Sequence, residues 1–192
     1  MRRLALVLGI SIAAVAGGAY AQRSPQYPGP ASVSGPQINV AIGPALQARA
    51  ADFGARDVED LRSDLRNEVS HAFAHARYAP ARIDLVIEDA TPNRPTFAQL
   101  GRTVGLSMRS VGIGGARISG VLVGPDGVTR PIRYQFYGSD LWDERGATTW
   151  SDADRSFMML ADELASGQLP DRFVGPGPQP HGGHFGYPYT GE

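Results

Sequence analysis

Glycine and proline are spread so unevenly along this 192-residue chain that they mark out what can fold. Residues 22–37 hold four Pro and two Gly, and residues 174–192 hold four Pro and six Gly. Such segments bury too little apolar area to offset their ordering entropy. Both read as flexible tails, the second a Gly/Pro/His-rich disordered one, leaving a single domain at 38–173. Cysteine is absent, and all 18 basic residues are Arg. No disulfide, thiolate nucleophile, Cys-bound zinc or acylated cysteine is available. Without Lys, Schiff-base and phosphate-loop lysine chemistry is excluded as well.

Residues 1–21 have the layout of a secretory signal peptide. Arg2 and Arg3 precede an apolar run from Leu4 to Val15, and Ala19-Tyr20-Ala21 offers a small-x-small cleavage site before Gln22. The run is short for a membrane span, which needs about 20 apolar residues. The expectation is a cleaved, periplasmic or secreted protein with no membrane anchor after cleavage. Loss of Arg2 and Arg3 leaves 16 basic against 19 acidic residues, a net charge of −3. That balance argues against nucleic acid, which selects a basic face.

Periodicity then places the elements. Ile38, Val40 and Ile42 alternate as a first strand, ended by Gly43-Pro44. Val58, Leu61, Leu65, Val69, Ala72 and Ala76 form one apolar stripe on a helix over 55–78, with Asp52 or Asp57 as its cap. Ile83 to Glu88 reads as a strand and residues 91–95 as a turn. A short helical turn followed by extended chain fits Phe97 to Val111. Gly112 to Gly115 is a bend or bulge. Ile118 to Val123, Gly124-Pro125-Asp126-Gly127 and Val128 to Phe136 form a hairpin, and Pro131 puts the return strand at an edge or leaves a gap in its ladder. A last helix spans 152–166, with Ser151 and Asp154 resembling a capping box and Gly167 closing it. The order predicts an α+β domain: a small, mostly antiparallel sheet with two main helices packed on one face.

Few residues suggest chemistry. His71 and His75 stand four apart on the long helix, so both imidazoles can reach one metal ion. The position after His71 is Ala72, where the zincin motif has Glu, so two surface histidines on a helix is the competing reading. His181 and His184 in the Gly-rich tail have loose metal-ligand spacing, and Phe185, Tyr187 and Tyr189 offer aromatic contact points. Asp140, Asp143, Glu144, Asp152 and Asp154 cluster, but Asp152 and Asp154 also suit a helix N-terminus. Trp142 and Trp150 flank the last helix as covers of the core edge or as an aromatic binding surface. No Gly-x-Ser-x-Gly elbow occurs, and Gly112–Gly115 lacks the strand–loop–helix context of a phosphate cradle.

Pro-Thr-Phe-Ala-Gln-Leu, Gly-Leu-Ser, Gly-Ile-Gly-Gly-Ala and the Pro-Asp-Gly hairpin, between Arg94 and Tyr137, resemble uncharacterised exported proteins and envelope lipoproteins of proteobacteria. The resemblance implies a small α+β envelope domain and carries no catalytic residues or cofactor. The reading that follows is a non-catalytic binding domain whose partner is an envelope protein, peptide or cell-wall component. The alternative is a metal-binding or metal-dependent hydrolytic protein using His71, His75 and a carboxylate.

Overall fold

The computed structural model describes residues 35–140 and 147–178. Residues 1–34 and 179–192 fall outside these, and with them the expected signal peptide, most of residues 22–37, His181, His184, Phe185, Tyr187 and Tyr189. Trp142, Asp143 and Glu144 lie outside as well. The elements run β1 (Gln37–Ile42), α1 (Pro44–Ala48), α2 (Ala50–Phe53), α3 (Ala55–Ala74), β2 (Arg82–Thr91), α4 (Phe97–Arg102), β3 (Gly115–Val123), β4 (Thr129–Tyr137) and α5 (Ser151–Ala165). The sheet order is β1-β2-β3-β4. β1 lies parallel to β2, and the other neighbours are antiparallel. This is the expected small α+β fold.

Strand alternation divides the sheet into two unlike faces. Ile83, Leu85 and Ile87 of β2, Ile118 and Leu122 of β3, and Ile132 and Tyr134 of β4 are buried against α3 and α5. Helix α3 answers with Val58, Leu61, Leu65, Val69 and Phe73, and α5 with Phe157, Leu160, Ala161 and Leu164. Fully burying one such Leu, Ile or Phe is worth about 1.5–3 kcal/mol. This one core couples both helices to three strands. The opposite face of the sheet is turned away from α3 and α5.

Several local expectations need correction. Helix α3 ends at Ala74, not at 78, and Phe73 rather than Ala76 completes its buried stripe. Pro80 disfavours helix in the residue before it, and the chain must extend to bring Arg82 beside Gln37. Neither Asp52 nor Asp57 caps α3: its N-cap is Gly54, with no side-chain cap. The α5 N-cap is Trp150, and no Ser151 box forms because the Ser151 hydroxyl accepts the Thr148 N–H at 2.7 Å. The capping box is instead on α4, where Thr96 and Gln99 satisfy each other's backbone N–H. Residues 103–110 form turns rather than extended chain.

The expected edge position of β4 holds. The Arg133 N–H points away from β3 and donates to the Pro170 carbonyl at 2.7 Å. Pro131, two residues earlier, therefore turns its nitrogen outward too, and the β3–β4 ladder loses no donor. Gly167, at φ +83°, closes α5 as expected.

The segment 91–95 is a turn buried under the sheet end rather than a surface loop. Asn93, fully buried, binds through both backbone and side chain. Its N–H donates to the Thr149 carbonyl and its carbonyl accepts from Gly112, both at 2.8 Å. Its side-chain amide donates to the Asp152 carboxylate at 2.8 Å, and its Oδ1 accepts the Asp152 N–H at 2.9 Å. Asn93 thus supplies, from another part of the chain, a cap that α5 lacks locally. The same carboxylate accepts the Gly114 N–H at 3.2 Å. A Cβ on Gly114 would stand 2.3 Å from Asn93 Oδ1, so only glycine fits there.

Asn93→Ala is expected to destabilise the domain by about 2–4 kcal/mol in denaturant unfolding, because it strands buried partners. Asn93→Asp places two carboxylates in contact and is expected to cost more at pH 7 than at pH 4.

Asp154 faces Asp64 and Glu68 across the α3–α5 seam; desolvation first, then these two charges, push it to about 6. A carboxyl raised in the folded state binds its proton more tightly there, so the domain loses stability as pH rises from about 4 to about 6. Asp154→Asn is expected to stabilise the domain at pH 7 by about 1 kcal/mol, a figure discounted for solvent screening. That gain should vanish below pH 4 in thermal melts.

Candidate functional site

The face of the sheet turned away from α3 and α5 carries a row of polar side chains. In β2 the register slips between Ile87 and Asp89, a bulge that brings two consecutive carboxylates, Glu88 and Asp89, to this face. Their neighbours follow from alternation on β3 and β4: Arg117 and Ser119 on one strand, Arg133 and Gln135 on the next. Together with Ala45, Phe173 and Pro178, most of these residues line an open groove of about 640 Å³.

The acidic groups in it are engaged. Asp89 accepts from Arg49 at 2.7 Å and from the Tyr137 hydroxyl at 2.8 Å. Burial, then the Asp89 charge, push the Tyr137 phenol far above its usual range, so it stays a donor. Glu88 accepts the Ser119 hydroxyl. The arginines, by contrast, form no ion pair among the described residues. Arg117 donates to Gln135 Oε1 at 3.1 Å, and its guanidinium lies 4.7 Å from the centre of the Phe173 ring. Among the described residues, Arg133 donates only its backbone N–H, to Pro170.

The segment after α5 forms one wall. Gln135 Nε2 donates to the Gly175 and Pro176 carbonyls, each at 3.0 Å. Of the segment expected as a tail, residues 174–178 are therefore seated on the sheet, and the remainder lies outside the described residues. Sequence reading missed this groove. Its signal was the polar side of the hairpin, which puts Arg117, Ser119, Arg133 and Gln135 in register opposite Glu88-Asp89.

The residues singled out from sequence lie elsewhere. His71 is in the last turn of α3, and His75 is already its C-cap. Both are exposed, on the helix-bearing side of the sheet. No three His, Asp or Glu side chains converge as metal ligands among the described residues. Asp152 is drawn into the Asn93 contact. Trp150 covers the core edge: it packs edge-on against Phe53 at 5.5 Å and donates to Asp57 at 3.1 Å. Gly112–Gly115 supplies the close backbone approach to Asn93 and the start of β3.

Chemically, the groove offers the Arg133 guanidinium, an Arg117 guanidinium held by Gln135 and Phe173, and a hydroxyl tied to a carboxylate. No histidine lines the groove among the described residues, and its guanidinium groups suit recognition of an anion. No protein-family model matches the chain, and no curated protein matches it either.

Proposed function

We propose that this is an exported, non-catalytic binding domain of the bacterial envelope that captures a carboxylate-bearing peptide in the open-face groove. The observation that carries the reading is the pair Arg117 and Arg133: two cations on the groove wall without acidic partners among the described residues, beside carboxylates already satisfied by Arg49, Tyr137 and Ser119. A planar guanidinium fork matches a carboxylate, and that match gives orientation as well as affinity. The edge of β4 lies alongside, where Arg133 pairs with Asp171 in parallel and donates its N–H to Pro170. A bound peptide places its anionic end at the arginines. Export rests on the Arg2–Arg3, Leu4–Val15 and Ala19–Ala21 pattern, and the envelope setting also on the resemblance carried by Arg94–Tyr137.

Acetyl-trialanine with a free carboxylate is expected to bind in calorimetric titration, and its amide is not. Arg133→Gln should weaken binding at least about tenfold, the worth of one charge-assisted contact. Equal binding of acid and amide, or none of either, contradicts the proposal. Expressed with its leader in a bacterial host, the exported protein should have the mass of a chain starting at Gln22.

A further inference from the structure

A second surface, remote in kind from the groove, is built on α4 and the turns that follow it. Large apolar side chains are presented there outright: Phe97 is 83% exposed, Val104 102% and Met108 52%. Clusters of such exposure in a folded domain mark interaction sites. These residues are held out by dedicated contacts. The Thr96–Gln99 capping box fixes the start of α4. The Arg94 guanidinium binds the Met108 carbonyl at 2.9 Å and also holds the Ala147 carbonyl. Ser110 Oγ accepts the Ser107 N–H at 3.1 Å and closes the last turn. The polar network thus holds the backbone of this lobe, and its apolar side chains stay in solvent.

The charge of the lobe selects its partner. From Phe97 to Arg109 the chain has no Asp or Glu, while it contains Arg102 and Arg109. Arg102 and Arg109 are exposed beside the apolar residues. Arg109 has no side-chain partner among the described residues; Arg102 donates to the Ala51 carbonyl and forms a long, exposed ion pair with Asp52 at 4.0 Å. A basic, apolar lobe on a chain of net negative charge is complementary to an anionic lipid surface, where rings and thioethers enter the headgroup boundary and arginines meet phosphates. We infer that the Phe97–Arg109 lobe docks the domain on anionic bilayers, with Phe97, Val104 and Met108 inserted and Arg102 and Arg109 at the headgroups.

The absence of cysteine makes the test site-specific. The full chain carrying Val104→Cys or, as a control on the hairpin turn, Val128→Cys is labelled with a polarity-sensitive dye. Each is titrated with phosphatidylglycerol/phosphatidylcholine vesicles and with pure phosphatidylcholine vesicles. The expected result is a blue shift at position 104 on the anionic vesicles only, with none at 128. Adding Arg109→Gln should weaken it about fivefold, the worth of one surface arginine. A shift confined to position 104 also separates lobe docking from any contact made by residues 4–15. The inference is overturned by no shift at 104, by equal shifts at 104 and 128, or by equal response to neutral vesicles. A shift at 104 that grows with protein concentration without lipid likewise overturns it, in favour of a second copy of the chain.

Discussion

One buried contact, Asn93 with Asp152, joins three stretches of chain that secondary structure alone leaves separate. Asn93 follows β2, Gly112 and Gly114 lead into β3, and Asp152 opens α5. Strand pairing fixes β2 against β3, and apolar packing fixes α5 against the sheet. Neither tells α5 where to start, nor satisfies the amides at its first turn. The Asn93 amide does both, because it can donate to a carboxylate and accept from an N–H at once. Low local dielectric strengthens each of these bonds and makes each costly to break.

Both candidate surfaces depend on that junction. The lobe from Phe97 to Arg109 is the excursion between Asn93 and Gly112, and the Asn93–Gly112 backbone bond closes it at its base. The groove depends on the same end of the sheet through Tyr137, which pairs with Gly115 and reaches Asp89. The sheet thus separates its roles by face. One side buries the core. The other displays arginines held in place by strand register, with the segment after α5 as a wall. The lobe stands apart from both, with its exposed apolar residues on loop and short helix rather than on the sheet.

The parts of the fold written in periodic patterns were legible in advance. Val58 to Val69 at helical spacing, the Ile83–Leu85–Ile87 alternation and the Pro-Asp-Gly turn all led to elements that are present. What could not be read depends on residues far apart in sequence. Thr91 to Pro95 has the composition of a surface turn, yet its Asn is the buried link of the domain. Asp152 looked like a charge for a helix N-terminus, but its carboxylate turns inward. Ser151 appeared to be a cap because its spacing to Asp154 is right; Thr148 claims the hydroxyl first. The short helices α1 and α2 bury only Leu46, Ala50 and Phe53, too few for a periodic signal. For the site, adjacency of Glu88 and Asp89 was visible, but the bulge that turns both to one face was not. The histidines drew attention by residue type, whereas the groove arginines follow only from register.

The most direct measurement of this account is amide hydrogen exchange at Gly114 and Asp152, the two backbone donors to the buried link. Both should exchange as slowly as Ile118 and Leu160 in the core, and through the same opening of the domain. Exchange at the rates of an open loop while Ile118 stays protected would contradict the claim that this contact holds the sheet end, the lobe and α5 together.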